Sequence, residues 1–284
     1  MKRILATTIL IVGLLTLFII FNKSGSDLPI QEVVELNPRH VVIGTSVQGR
    51  AIDAYTYGDG ETHLLFVGGM HGGYEWNTVL LAYEFKDYLD ADTSRVPDNL
   101  TVTVIPSLNP DGVYRVVGQE GRFAMADIPV GMVTAPGRFN ANEVDLNRNF
   151  DCKWDPQSVW RNTPVKTGTA PFSEPEALAI KNFVSENDIS AAIFWHSQAN
   201  TVYGSECEEG ILPETKEILH LYARAAGYAA VESFDAYEVN GDAEGWLASI
   251  GIPAITVELK THETVEWEQN LAGINALLDY YSLR

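Results

Sequence analysis

Positive charge and cysteine are both scarce in this sequence of 284 residues. It contains 19 Lys and Arg residues against 38 Asp and Glu residues, a formal net charge of -19 at pH 7, and two cysteines. An acidic surface of this kind repels phosphate backbones, so we expect no nucleic acid among its partners. The two cysteines, Cys152 and Cys207, predict a disulfide if the protein is exported, and two free buried thiols are the alternative.

The amino-terminal residues differ from the rest of the chain. Lys2 and Arg3 precede 18 uncharged residues, Ile4–Phe21. As a helix this run would reach about 27 Å, barely enough for a bilayer core. We predict that residues 1–21 are an uncleaved signal anchor, with a cleaved signal peptide as the alternative, and that residues 22–38 are a tether. The basic start favours a cytoplasmic amino terminus, which places the domain outside the cytoplasm, membrane-anchored or secreted.

Strand and helix patterns alternate along residues 39–284, which we predict to form one catalytic domain. Short β-branched and aromatic runs, typical of strands, occupy 40–44, 51–57, 64–67, 100–105, 189–195 and 254–257. Helical spacing follows at 79–85, 173–184, 213–226, 242–250 and 265–281, the second of these with a predicted capping box from Ser173 to Glu176. Residues 113–168 show no sustained period and predict a long ordered loop. The alternation indicates an α/β domain whose sheet is largely parallel.

The stretch Gly68–Trp76 joins a predicted strand to a predicted helix and contains His71 and Glu75. Its glycine pairs allow the backbone to turn sharply, and open α/β sheets bind ligands beyond the carboxyl ends of their strands. Imidazole and carboxylate are two of the ligand types of a catalytic zinc ion. The alternative is a strand-end His and a helix-start Glu that bind no metal.

Two further predicted strands each end in a polar residue, His196 and Glu258. Two His and one carboxylate, here His71, Glu75 and His196, would leave zinc an open position for water. A further carboxylate that is not a ligand, Glu258, can take the proton from that water and later pass it to the leaving amine.

The loop region supplies two arginines that suit a carboxylate-bearing substrate. Arg138 lies ten residues before Arg148, which belongs to the run Val144–Phe150. A guanidinium binds a carboxylate through two parallel hydrogen bonds and can also stabilise an oxyanion. Two arginines near a zinc ion therefore predict a substrate with a free carboxylate.

These residues, taken in order, resemble a zinc metallocarboxypeptidase of the carboxypeptidase A type, from about His40 to the end of the chain. The matching motifs are Gly68-Gly69-Met70-His71 with Glu75-Trp76, then Asn109-Pro110-Asp111-Gly112, Arg138, Asp145-Leu146-Asn147-Arg148-Asn149, His196-Ser197, Tyr237 and Glu258-Leu259. The resemblance implies a mixed eight-stranded sheet between helices, one zinc ion, and hydrolysis of the carboxy-terminal peptide bond of a peptide or protein. It also implies that Glu258 is the general base and that Arg138 polarises the scissile carbonyl.

The same resemblance implies how the substrate is held. Asn147 and Arg148 would bind its terminal carboxylate. Tyr237 would close over that carboxylate, since it lies nine residues before Trp246, as the mobile Tyr of the family precedes its Trp. Seven residues after Tyr237, Glu244 falls where the family has the deciding side chain of its specificity pocket. An acid there would favour a Lys- or Arg-like residue or diaminopimelate, and a solvated carboxylate on a helix is the alternative.

One departure concerns the spacing of the first two ligands. The family usually has two residues between its His and Glu, whereas three separate His71 from Glu75. The Gly72-Gly73 pair can absorb an inserted residue because glycine has a wide φ/ψ range. The alternative is a degraded site that binds zinc weakly or not at all.

Three alternative functions remain at this stage. The first is a cell-wall peptidase that acts on D-amino-acid or diaminopimelate peptides. The second is a deacylase of N-acyl amino acids, whose site is similar but usually lacks the Tyr and the final-strand Glu-Leu in this order. The third is a non-catalytic module that binds peptide carboxylates.

Overall fold

The structure is a computed structural model that describes residues 38–284. The predicted anchor and the tether as far as residue 37 lie outside these residues, and both stay predictions. Within residues 38–284, no helix combines the length and the apolar character needed to cross a bilayer.

Most strands of the described domain belong to one mixed sheet. In chain order the strands are β1 (Arg39–Thr45), β2 (Ala51–Tyr57), β3 (Thr62–Val67), β4 (Leu100–Ile105), β5 (Ser158–Trp160), β6 (Thr163–Val165), β7 (Ile189–Ser197), β8 (Thr201–Gly204), β9 (Glu206–Cys207), β10 (Gly210–Ile211), β11 (Ala229–Val231) and β12 (Ala254–Leu259). Eight of them form the sheet, in the order β1-β2-β4-β3-β7-β12-β8-β11. The pairs β5-β6 and β9-β10 form two small separate ribbons.

The centre of the sheet is parallel. Strands β4, β3, β7 and β12 run in the same direction, and β8 pairs with β11 in parallel. The pairs β1-β2, β2-β4 and β12-β8 are antiparallel. The predicted mixed, largely parallel eight-stranded sheet is therefore confirmed. As a result, β3, β4, β7 and β12 present their carboxyl ends at one edge, where ligands of such sheets bind.

Helices cover both faces of the sheet. They are α1 (Trp76–Ala91), α2 (Pro110–Val117), α3 (Pro175–Glu186), α4 (Pro213–Ala226), α5 (Ala243–Ser249) and α6 (Trp267–Ser282). Helices α1, α4 and α6 bury apolar side chains such as Phe85, Tyr222 and Leu277 against one face. Helices α3 and α5 bury Ile180 and Leu247 against the other. This double burial explains why β4 and most of β3 and β7 are buried throughout.

The region predicted as one long loop contains regular elements that the sequence pattern did not indicate. Helix α2 starts at Pro110, because the Asn109 side chain accepts a hydrogen bond from the Gly112 amide and proline suits the first helical turn. The β5-β6 hairpin lies later in the same region. Much of the remainder is irregular, with short 3-10 turns such as Leu146–Arg148.

The predicted capping box at the start of α3 is wrong. Glu174 occupies the cap position and makes no side-chain capping hydrogen bond. The Ser173 hydroxyl instead accepts hydrogen bonds from the Thr169 amide and the Asn149 side chain. The Glu176 carboxylate accepts hydrogen bonds from the Val47 amide and the Asn140 side chain. Long-range partners thus take both groups that a local capping box would use.

The predicted disulfide is confirmed. Cys152 and Cys207 are bonded, with a Cα–Cα distance of 6.0 Å across 55 residues of sequence. The bond connects the segment that follows Arg148 to strand β9 of the small β9-β10 ribbon, beside the cavity described below.

Candidate metal centre and active site

The three predicted zinc ligands come from two neighbouring strands. His71 and Glu75 lie just after β3, in a loop and a 3-10 turn (Gly72–Glu75) that leads into α1. His196 lies near the end of β7, which pairs in parallel with β3. All three side chains are buried, with at most 4% of each residue exposed. Parallel pairing therefore brings residues separated by more than 100 positions to the same point.

The ligand atoms of these side chains converge. The distance from His71 Nδ1 to Glu75 Oε1 is 2.8 Å, from His196 Nδ1 to Glu75 Oε2 it is 3.1 Å, and the two Nδ1 atoms are 3.2 Å apart. Ligand atoms about 2.0–2.1 Å from a tetrahedral zinc ion lie about 3.3 Å from one another. The spacing therefore fits a zinc site made of His71, Glu75 and His196.

Glycines absorb the additional residue between His71 and Glu75. Gly72 adopts a left-handed conformation, with φ of +44°. A Cβ atom on Gly73 would lie 2.5 Å from the Cβ of Val116 in helix α2, which is closer than side chains pack. The turn can lie against α2 only because both positions lack side chains. The degraded-site alternative finds no support in this geometry.

A buried carboxylate lies behind each imidazole. His71 Nε2 is 3.4 Å from Asp145 Oδ1, and His196 Nε2 is 3.2 Å from Glu244 Oε1. Both nitrogens are buried, and neither contact meets the geometry of a hydrogen bond. Because the Nδ1 atoms face the metal position, each ring can carry its hydrogen on Nε2, beside the carboxylate. Metal-binding histidines commonly have such an outer partner.

Glu258 lies beside the metal position without being one of its ligands. In the parallel β7-β12 pair it is the register partner of His196. Its Oε2 atom is buried and has no hydrogen-bond partner in residues 38–284. Burial, followed by the nearby charge of Glu75, raises the pKa of its carboxyl to about 7. Burial opposes ionisation of Glu75 too, but His71 and His196 outweigh it and lower the pKa of that carboxyl.

Arg138 reaches the metal position from the irregular region. Its Nε atom donates to Asp145 Oδ2 at 2.9 Å, its Nη2 atom forms an ion pair with the same oxygen at 2.8 Å, and its Nη1 atom is 3.9 Å from Glu75 Oε1. The guanidinium also lies over the Trp160 ring, with its carbon 4.6 Å from the ring centroid. Asp145 therefore contacts both an arginine and a metal ligand, and it fixes their relative positions.

The two predicted carboxylate-binding residues, Asn147 and Arg148, border the same cavity as these groups. Asn147 Oδ1 accepts a hydrogen bond from the Ala243 amide at 3.0 Å, which leaves the side-chain NH₂ free of that bond. Arg148 Nη2 donates to the Val159 carbonyl at 3.2 Å. Both side chains border the cavity, although Arg148 itself is 2% exposed.

Tyr237 lies in the irregular segment before α5. Its ring packs edge-on against Phe234, with the centroids 4.9 Å apart, and Phe234 packs in the same way against Tyr203 of β8. The segment borders the same cavity.

One cavity of about 490 Å³ brings all the predicted site residues together. It is bordered by His71, Glu75, Arg138, Asn147, Arg148, His196, Tyr237 and Glu258. The roles assigned to the non-ligand members stay predictions, but their positions agree with a single site.

Several residues in or beside the cavity had no assigned role in the sequence interpretation. Asp145 lies two residues before Asn147 in the motif Asp145-Leu146-Asn147-Arg148-Asn149. This position in the motif was the sequence signal that could have identified it. Tyr74 and Trp160 pack edge-on at 5.1 Å between ring centroids, and no local pattern indicates this contact.

Glu244 is 2% exposed, so the alternative of a solvated helix carboxylate is wrong. Asp242 also borders the cavity, and burial, followed by the charge of Glu244, raises the pKa of its carboxyl to about 6.

Comparisons with known proteins agree with this geometry. A family model described as zinc carboxypeptidase matches residues 30–269. Gamma-D-glutamyl-L-diamino acid endopeptidase 1 of Lysinibacillus sphaericus is 28% identical over 240 residues, which are 76% of this chain and 59% of that protein. Human carboxypeptidase O is 30% identical over 206 residues, 67% of this chain and 53% of that protein. The chain thus spans little more than half of either relative.

Solved structures show the same fold. Murein-tripeptide amidase from Escherichia coli O157 superposes with a TM-score of 0.60 at 21% identity, covering 85% of this chain and 92% of that one. Thrombin activatable fibrinolysis inhibitor superposes with a TM-score of 0.66 at 17% identity, covering 87% of this chain and 70% of that one.

Proposed function

The chain belongs to the zinc carboxypeptidase family, and on that premise we propose that it is a zinc-dependent exopeptidase that hydrolyses the carboxy-terminal peptide bond of its substrate. The observation that carries the proposal is the buried Glu258 carboxylate, whose Oε2 atom lacks a partner beside the three-ligand zinc site. A non-catalytic binding module has no need for such a group. A hydrolase needs a base at this position.

The protein groups can carry out the chemistry as follows. When bound, zinc supplies a Lewis acid that lowers the pKa of water. Glu258 then takes a proton from the attacking water and returns it to the leaving amine, and its raised pKa suits both steps. Arg138, held by Asp145, stabilises the negative charge that develops on the carbonyl oxygen.

Two hydrogen-bond donors that border the cavity, Asn147 and Arg148, favour cleavage next to a free carboxy terminus. Asn147 and Arg148 supply amide and guanidinium donors that can bind a terminal carboxylate. Tyr237, in the segment that borders the entrance, can close over the released residue. A substrate without a free carboxylate would leave the Asn147 NH₂ group and the Arg148 N–H groups that do not bond to backbone carbonyls without this partner, which disfavours its binding.

A second candidate substrate is a cell-wall peptide that ends in a diamino acid such as diaminopimelate. Two carboxylates, the buried Glu244 and the partly buried Asp242, border the cavity and would attract the additional ammonium group of such a residue. The names of the Lysinibacillus endopeptidase and of the murein-tripeptide amidase point in the same direction. In both candidates the residue released carries a free carboxylate.

We also propose that the domain acts outside the cytoplasm, anchored by residues 1–21 or secreted after their removal. The disulfide supports this, because such bonds persist in oxidising compartments. Fractionation of the producing cells, with thiol alkylation before lysis, tests it. Recovery of the protein in the cytosol with both thiols alkylated would contradict it.

The function is tested by measuring metal content together with hydrolysis of peptides that differ only in the last residue, alongside muropeptides. We expect near-stoichiometric zinc, loss of hydrolysis with a chelator, and recovery when zinc is restored. Glu258→Gln should abolish turnover and keep the zinc. Tight peptide binding without turnover over hours, with zinc present, would instead support a binding module. Turnover of muropeptides alone would select the cell-wall candidate.

A further inference from the structure

Glu244 contacts a metal ligand directly. It lies in the first turn of α5, is 2% exposed, and its Oε1 atom is 3.2 Å from His196 Nε2. The same oxygen accepts a hydrogen bond of 3.0 Å from the Thr256 hydroxyl. Thr256 belongs to β12 and lies two residues before Glu258, so the carboxylate is held against the strand that carries the predicted base.

The ring of His196 has one orientation that satisfies both of its neighbours. Its Nδ1 atom lies 3.1 Å from Glu75 Oε2 and 3.2 Å from His71 Nδ1, on the metal side. Binding of a metal there requires a lone pair on Nδ1, which places the ring hydrogen on Nε2. That hydrogen points toward the side of the ring where Glu244 lies. A carboxylate at this position selects the tautomer and makes the other nitrogen a better ligand.

Each of the two metal-binding histidines has a buried carboxylate beside its Nε2 atom, and the two carboxylates come from different parts of the chain. Asp145 lies behind His71 and is fixed by Arg138. Glu244 lies behind His196, and its ion-pair contact within residues 38–284 is with that histidine. A buried carboxylate without a nearby cation is costly, so the side chain is placed where a partner with positive character compensates it.

We propose that Glu244 is a positioning residue of the metal centre, which orients His196 and fixes its tautomer for zinc binding. The inference rests on the zinc site and not on the identity of the peptide. Attraction of a cationic substrate group by the same carboxylate is compatible with it, but that role alone would leave zinc affinity unchanged.

The test is the zinc dissociation constant of purified full-length variants, measured by competition with a chelator. We expect Glu244→Ala to weaken zinc binding by about 10- to 100-fold, the range measured for outer partners of metal ligands. Glu244→Gln should lose less, because its amide oxygen can still accept the Nε2 hydrogen. The matched control is Glu238→Gln, an exposed acid that borders the same cavity, which should bind zinc like the wild type.

Two further measurements separate positioning from a purely structural or substrate-binding role. The visible spectrum of the cobalt-substituted protein should change in Glu244→Gln and stay unchanged in the control, because the ligand geometry is altered. Should Glu244→Ala fail to fold, Thr256→Val removes only the hydroxyl that holds the carboxylate and should weaken zinc binding in the same direction. Zinc affinity within twofold of the wild type in the folded Glu244 variants, with only KM for basic substrates raised, would overturn the proposal. If the wild type binds zinc and hydrolyses nothing, the proposed function fails while this test still stands.

Discussion

At the scale of single residues, Asp145 connects two functional groups. It is fully buried, holds Arg138 through two short contacts and lies behind His71. No sequence pattern gave it a role, because both partners reach it from other segments. If Arg138 stabilises the oxyanion as proposed, Asp145 would couple metal binding to catalysis through these two contacts.

We expect Asp145→Asn to lower the free energy of unfolding by about 3 kcal/mol, because it removes the nearest countercharge of the buried Arg138 guanidinium and leaves the Glu75 carboxylate at 3.9 Å. Chemical denaturation of the metal-free protein measures this. The matched control is Asp87→Asn, which breaks an exposed ion pair with Arg122 and should cost less than about 1 kcal/mol. Equal losses in the two variants would contradict the assigned burial effect.

His63 provides a pH-dependent contribution to stability away from the active site. Burial lowers the pKa of its imidazole from 6.5 to about 4, and its Nε2 atom is 2.8 Å from the Thr103 hydroxyl. Between these pH values the unfolded chain binds more protons at this residue than the folded protein does. Its contribution is therefore complete above pH 6.5 and is lost as the pH falls toward 4.

The pH dependence can be measured by chemical denaturation at pH 7 and pH 4.5, with a chelator present so that zinc loss does not contribute. We expect His63→Asn to remove about 2 kcal/mol of the difference between the two pH values, relative to the wild type. His220→Asn, at an exposed position, should leave that difference unchanged. An unchanged difference in His63→Asn would show that other groups dominate acid unfolding.

At the scale of elements, the turn that carries the first two ligands depends on close backbone packing. Its glycines approach α2 and the backbone of Gly137 so closely that a Cβ would lie 2.7 Å or less from its nearest neighbour. The glycines were correctly predicted to absorb the inserted residue. The partner helix was not predicted, because α2 begins in a segment that reads as turn formers.

Gly73→Ala should lower the free energy of unfolding by about 1–3 kcal/mol, as overpacking commonly does, and should also weaken zinc binding because the turn must shift. The control is Gly44→Ala, whose new Cβ would lie 2.6 Å from the Cβ of Ala179 in α3, away from the ligands. That variant should lose stability and keep its zinc affinity. Unaltered zinc affinity in Gly73→Ala would separate the turn from the metal centre.

Secondary structure was predictable where local patterns and burial agree. The six longest core strands have strong apolar patterns and were found close to their observed bounds, and α4 was predicted at its observed ends. The capping box of α3 was wrongly predicted because its groups bond to distant segments, and the β5-β6 hairpin was missed because each of its strands has only three residues. The same distinction, between features set by local patterns and features set by long-range contacts, applies to the residues of the site. Ligands at strand ends follow from parallel topology, whereas the contacts of Asp145, Trp160 and Glu244 depend on how segments outside the parallel strands fold back onto the site.

At the scale of the whole molecule, the disulfide closes a long loop around the cavity. It joins Cys152, near the predicted carboxylate-binding residues, to Cys207 in β9. Between these cysteines lie β5, β6, α3, β7 and β8. The cross-link therefore restricts the unfolded chain over a large segment that includes the ligand His196.

Replacement of both cysteines by serine should lower the free energy of unfolding by about 4 kcal/mol, from the entropy of closing a loop of this length. Chemical denaturation of the variant, and of the wild type with and without a reductant, provides the measurement. We expect reductant to shift the wild type to the stability of the variant and to have no effect on the variant itself. A loss below about 1 kcal/mol would mean that the unfolded chain is already compact in this segment.

The turn between His71 and Glu75 has a consequence beyond this chain. The metal site is defined by three atoms about 3 Å apart, and the number of residues between two of its ligands is free to vary wherever glycines line the connection. A search pattern that fixes that number would pass over proteins built in this way. Ligand geometry is the better criterion for finding further members with lengthened metal loops.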